Sequence, residues 1–199
     1  IDGTLILANT GATIRNIFTA TNAVITVNGS VENAGTINSA AANLLFENGS
    51  SYTHKATTFA GLLPTATWKD GSKTLVSGYT SYASTVSNTG QSFYDFTWDC
   101  TQTDTHSISA STMTVRNAFT LEKGNLRISS GTATTFSVKD FTINAGTLDF
   151  YNSTSTTLVN TLKVSGLFAQ AGGTITETGS SPFNTIEFNG SVSQTVTLG

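Results

Sequence analysis

The sequence predicts an all-β chain wound as a single-stranded, right-handed parallel β-helix of about eight coils, with little helix. Three observations carry that reading. Four stretches fit one template: AVITVNGSVENAGTI (23–37), STMTVRNAFTLEKGNLRI (111–128), TFSVKDFTINAGTLDF (135–150) and TLKVSGLFAQAGGTI (161–175). With Val27, Val115, Val138 and Val164 aligned, Gly35, Gly124, Gly146 and Gly173 follow eight or nine positions later, and the last three copies recur at nearly even intervals. Within each copy apolar residues alternate with Thr, Asn, Ser and Glu, the period of a strand buried on one face. No segment sustains a 3.6-residue apolar stripe for three turns, so helix is expected to be scarce.

The elements follow in chain order. DGTLIL opens in strand-like text. Ile25, Val27, Gly29 and Val31 then share one face, and Ala40, Ala41, Ala42 and Leu44 allow at most one helical turn. Met113, Val115, Phe119 and Leu121 share a face, as do Leu162, Val164, Gly166 and Phe168. Phe136 and Val138 lie on one parity and Phe141 and Ile143 on the other, so a corner or β-bulge is expected at Asp140 and Phe141. The chain stops in SQTVTLG with no polar cap, so 1–199 reads as one segment of a longer β-solenoid. Sandwich strands need not resemble one another, whereas these repeat the same apolar and Gly positions at one spacing. Stacked at about 4.8 Å, they place Val over Val and Phe over Leu along roughly 40 Å of rod. Right-handedness follows from the rule for parallel crossovers.

Composition narrows the function classes. Charged residues are only 11% of the chain, against roughly 25% in average soluble domains, and Thr, Ser, Asn and Gly fill the deficit. A net charge of -3 lacks the basic footprint that holds phosphates, which argues against nucleic acid as partner. No window approaches about 18 uninterrupted apolar residues, so no membrane span is expected, and no leader opens the chain. A lone Cys100 forms no internal disulfide and no cysteine-rich metal site. Low Lys content with a hydroxyl-rich surface points to an extracellular or cell-surface location. Of four Asn-x-Ser/Thr sites (Asn28, Asn48, Asn152, Asn189), three are Asn-Gly, which is first of all turn chemistry.

Between about positions 51 and 105 the template is interrupted. This stretch holds both Trp, His54 with His106 at its edge, Tyr52, Tyr79, Tyr82, Tyr94, Pro64 and Cys100. In FYDFTWDC, Tyr94, Phe96, Trp98 and Cys100 alternate with Asp95, Thr97 and Asp99, which places the aromatic set inward.

The run SYTHKATTFAGLLPTATWKDGSKTLVSG, then GQSFYDFTWDC, then a TMTVRNAFTLEKGNLRI unit, resembles large secreted or cell-surface repeat proteins of Bacteroidetes, exported by the type IX route. The resemblance spans about Gly3 to Gly199 and implies a right-handed parallel β-helix with an adhesin-like role. It also implies a second Cys near position 74, where this chain has Thr74.

Candidate chemistry is thin. Asp95 and Asp99 share a strand face about 13 Å apart, too far for the roughly 5 to 9.5 Å that glycoside hydrolysis requires of two carboxylates. Lys69, Asp70 and Lys73 form a polar Gly-containing turn and not the basic and acidic cluster of a polysaccharide lyase. His54 and His106 lack a third ligand at metal-binding spacing, and no cofactor is implied. No Gly-x-Ser-x-Gly elbow appears. Sugar stacking remains: Tyr52, Trp68, Tyr79 and Tyr82, with His54 beside them, are the candidate ligand-binding residues, against their packing onto the coil. The expected function is therefore a non-enzymatic, structural and adhesive surface segment contacting glycans or other surface molecules, or self-associating end to end. The alternative is a carbohydrate-binding or polysaccharide-degrading β-helix module.

Overall fold

The computed structural model describes residues 1–8, 16–18, 23–57, 62–80, 85–108, 110–129, 131–151, 157–179 and 184–199. Every strand pairing among them is parallel, and the described residues contain no helix. Residues 41–43 form a turn that closes with Asn43 N donating to Ala40 O. The chain is a parallel β-solenoid, because each strand offers alternating apolar side chains to one side and meets its equivalent one winding later.

Three ladders run along it. The longest stacks nine strands: Thr4–Leu7, Ser30–Asn33, Ser51–His54, Lys73–Val76, Asp95–Asp99, Thr112–Lys123, Thr135–Ile143, Phe168–Gln170 and Val196–Leu198. A second runs through Ile25–Val27, Leu44–Phe46 and Thr67–Trp68 and, after a break, through Ser92–Phe93, the first halves of Thr112–Lys123 and Thr135–Ile143, then Asn160–Val164 and Asn184–Phe188. The third pairs Asn16–Phe18 with Thr36–Asn38, and later Thr85–Val86, Thr105–Ile108, Asn125–Ser129, Thr147–Tyr151 and Thr174–Thr176. The period is not constant: the winding that carries Ser30 to its partner Ser51 is shorter than the one that carries Phe168 to Val196.

The core is one continuous column. Phe96, Phe119, Phe141 and Phe168 stack nearly parallel, their centroids 5.7, 5.0 and 5.8 Å apart. Val115, Val138 and Val164 pair in register, as do Met113, Phe136 and Leu162. Such spacing follows directly from the rise between parallel strands, and the rings gain offset-stacking energy beyond their burial.

Corners join the second ladder to the first, and their length sets the inward parity. Val138 and Phe141 are both buried with Lys139 and Asp140 between them, so this corner exchanges the inward parity as the sequence leads one to expect. On the neighbouring coil Arg116, Asn117 and Ala118 occupy the same corner, one residue longer, so parity is kept and the register shifts there. Side chains cap the corners across coils. Asp95 accepts from Asn117 Nδ2 at 2.7 Å and from Ala118 N, and Asp140 accepts from Leu167 N at 2.8 Å.

The template glycines have a steric cause. Gly124, Gly146 and Gly173 take φ of 85°, 83° and 68°, and a Cβ on Gly146 would sit 2.2 Å from Gly124 O. Only Gly combines that left-handed conformation with so close a stack.

Within residues 51–105 the described strands Ser51–His54, Lys73–Val76 and Asp95–Asp99 carry the longest ladder through, while the second ladder breaks between Thr67–Trp68 and Ser92–Phe93. One expectation needs correction. Tyr94 does not point inward. Phe93 does, at 0% exposure, and a corner between Phe93 and Phe96 turns Tyr94 outward beneath the Arg116 guanidinium, 5.4 Å from its ring centroid.

Candidate functional site

The side chains proposed for ring stacking on sugars lie inside the solenoid. Tyr52 and His54 are 0% exposed, and Trp68 and Tyr79 3%, so none of these four offers a ring face to a ligand. Tyr82 lies outside the described residues. The stacking role is therefore withdrawn for those four, and the reason is parity: Tyr52 and His54 alternate inward on the same strand as Val31 and Asn33 do one coil earlier.

Inside, they form a polar chain. Asn33 Nδ2 donates to Tyr52 Oη at 3.0 Å, Tyr52 Oη meets His54 Nδ1 at 3.0 Å, and His54 Nε2 meets Tyr79 Oη at 3.2 Å. The neutral imidazole donates through one ring nitrogen and accepts through the other, so it links the two phenol oxygens in either tautomer. His106 lies against Tyr79 with centroids 4.2 Å apart, and its two ring nitrogens have no hydrogen-bond partner among the described residues.

Burial sets the charge states. It pushes His54 and His106 down to about 4 and the Cys100 thiol up to about 12, and it raises the Tyr52 and Tyr79 hydroxyls. All are neutral at pH 7. A neutral thiol and imidazoles walled in by Trp98 and Tyr79 make a packing element, without the exposed nucleophile or base that catalysis requires.

The accessible feature of this region lies outside the column, where the second ladder breaks. Among the described residues no backbone hydrogen bond joins Thr67–Trp68 to Ser92–Phe93. Gln91 fills the gap with all four of its amide valences. Its Oε1 accepts from Ala66 N at 2.9 Å and Trp68 Nε1 at 3.1 Å, while Nε2 donates to Pro64 O and Asn88 O. Arg116 closes the other end, reaching over Tyr94 to donate to Trp68 O and to Asp70. Two side chains thus replace the missing backbone bonds.

Above this seam lies an open groove of about 910 Å³. One wall is built by two stacked turns, 47–50 and 69–72. In each a Ser hydroxyl folds back on the first carbonyl, Ser50 to Glu47 O and Ser72 to Lys69 O, both at 2.7 Å, with a Gly at φ of 81° or 84° before it. Glu47, Asn48, Lys69 and Asp70 of these turns line the groove, as do Ser92 and Arg116.

Lys69 and Asp70 lie in the polar turn that the sequence leads one to expect, whereas the expectations from sequence do not bring Glu47, Asn48, Gln91, Ser92 and Arg116 together as lining one site. A signal was present: Asn48-Gly49-Ser50 and Asp70-Gly71-Ser72 repeat the same turn one winding apart. No such pattern marks Gln91 or Arg116, which meet Trp68 from one and two windings further along the chain.

Asp95 and Asp99, weighed above as catalytic carboxylates, are engaged across coils, Asp95 as a corner cap and Asp99 in a pair with Lys123 at 3.0 Å. Comparison of the chain with protein-family models, with curated proteins and with solved structures gave no match.

Proposed function

We propose that this chain is a non-enzymatic structural and adhesive segment of an extracellular bacterial surface protein, of the Bacteroidetes type that it resembles from about Gly3 to Gly199. The observation that supports this most is how its side chains are allocated. Groups able to do chemistry (His54, His106, Cys100, Tyr52 and Tyr79) are consumed in the core, while the outer faces carry hydroxyl columns. Thr112, Thr135, Thr161 and Thr185 pair in one register column, and Thr97, Thr120 and Thr142 in another. Spaced by about 4.8 Å, such columns offer many weak contacts, and linked weak contacts gain strength through effective concentration. The rod itself holds those contacts at a distance from the cell.

The test measures adhesion and shape together. Beads coated with the whole chain are expected to adhere to glycan-bearing surfaces in proportion to coating density, and scattering is expected to give an elongated particle. Adhesion no greater than that of beads coated with albumin removes the reading. Sedimentation across concentration checks the associated proposal that copies stack end to end. A second reading, a carbohydrate-binding module, is favoured by one observation only, the open groove over the broken ladder.

A further inference from the structure

From the groove over the seam between Thr67–Trp68 and Ser92–Phe93, we infer a binding site for a neutral, polyhydroxylated ligand, a stretch of uncharged polysaccharide. This deepens the adhesive reading and rests on it.

Position comes first. Elsewhere the second ladder closes through backbone hydrogen bonds, and its outer surface is a pleated sheet. Here no backbone hydrogen bond joins the two strands, and Gln91 and Arg116 bond to Trp68 from one and two windings further along the chain. The concavity that results falls within the roughly 300 to 1,000 Å³ of ligand sites in general.

Charge selects the ligand class. The lining carries two carboxylates, Glu47 and Asp70, and two cations, Lys69 and Arg116, so its formal sum is zero. Arg116 and Asp70 already neutralise each other. An anionic chain of uronates or sialic acids meets no net positive field here, and a cationic chain no net negative one. The lining supplies both kinds of hydrogen-bonding group beside its apolar surface: carboxylates accept, ammonium and guanidinium donate, and the Asn48 amide and Ser92 hydroxyl do both. A sugar hydroxyl is donor and acceptor at once, and an uncharged polyol is what such a lining satisfies.

Affinity follows from what the groove lacks. Trp68 turns its ring to the core, against Phe46 at 4.4 Å, so no aromatic platform adds stacking energy. Hydrogen bonds exchanged with water contribute little each. A single site therefore binds in the millimolar range, and works through repetition along the polymer and across copies.

The experiment uses the whole chain on an array of immobilised β-glucan, mannan and xylan fragments beside uronate and sialylated oligosaccharides, with ligand-observed NMR for affinity. Ser92→Trp fills the groove from an exposed position, and Asp70→Ala removes one wall carboxylate that is 75% exposed, so neither disturbs the core. Circular dichroism and the urea midpoint verify that both variants stay folded. The expected result is binding to neutral members only, weakened at least fivefold by Ser92→Trp and at least threefold by Asp70→Ala. Binding unaffected by both variants, binding confined to charged glycans, or no glycan binding at all overturns the inference. In those cases bead adhesion that persists leaves the adhesive reading standing with its contact elsewhere, whereas loss of both removes the two together.

Discussion

Acid should weaken this protein through His54. The imidazole is fully buried and bridges Tyr52 and Tyr79 as a neutral ring, and burial holds it at about 4 against an ordinary 6.5. The folded value lies below the unfolded one, so the neutral ring's contribution is intact above about pH 6.5 and is lost as pH falls toward 4. The full difference corresponds to about 3 kcal/mol, and linkage gives a loss of about 2 kcal/mol at pH 5. His106 shifts in the same direction for the same reason and adds to the loss. Equilibrium urea unfolding, followed by Trp fluorescence at pH 7.5, 6.0 and 5.0, measures it. His54→Gln supplies a non-titrating acceptor and donor in the same place, so its stability starts lower at pH 7.5 and falls about 2 kcal/mol less than the wild type between pH 7.5 and 5.0. Parallel losses in wild type and His54→Gln would refute the assignment, because the acid sensitivity would then come from other groups.

Further outcomes test the column, the seam and the corners. Phe119→Ala, in the middle of the ring stack, is expected to cost about 3–5 kcal/mol in urea unfolding, while Thr120→Ala on the outer face of the same strand stays within about 0.5 kcal/mol. Gln91→Leu keeps the volume and leaves Ala66 N and Trp68 Nε1 without their acceptor, which costs about 1–3 kcal/mol. Gly146→Ala drives a Cβ against Gly124 O at a positive φ, and a loss above about 1 kcal/mol is expected from the conformation alone. A stability equal to wild type in Phe119→Ala, Gln91→Leu or Gly146→Ala would remove the contact concerned from the account.

Much of the fold is legible without coordinates. Val115, Val138 and Val164, aligned on the template, are the residues that stack, and the parity switch at Asp140 marks a real corner. The template Gly at 124, 146 and 173 marks a left-handed turn repeated in register. Tyr94 misleads because simple alternation runs straight through a corner, and a corner of even length exchanges inside for outside. The ring-stacking residues mislead for a different reason. Tyr, Trp and His suit a sugar surface and a core equally well, and the 51–105 text looks like a departure from the winding, although Tyr52 and His54 sit on its inward parity.

The candidate site is the least legible part. Its turns repeat in the sequence, yet the groove exists because Gln91 and Arg116 reach other coils, and no local pattern encodes such a reach.

What the chain alone determined is that it winds: apolar residues recurring at the period of a strand, within units that recur at the period of a turn, have no other way to bury one face along the whole length. Which residues lie above which was decided only in three dimensions. Corner length varies, so the step from Ser30 to Ser51 is not the step from Phe168 to Val196, and each added corner residue changes the phase of all that follows. The aromatic column, the Tyr–His chain and the open seam are products of that phase, which depends on how successive windings pack and not on any one of them.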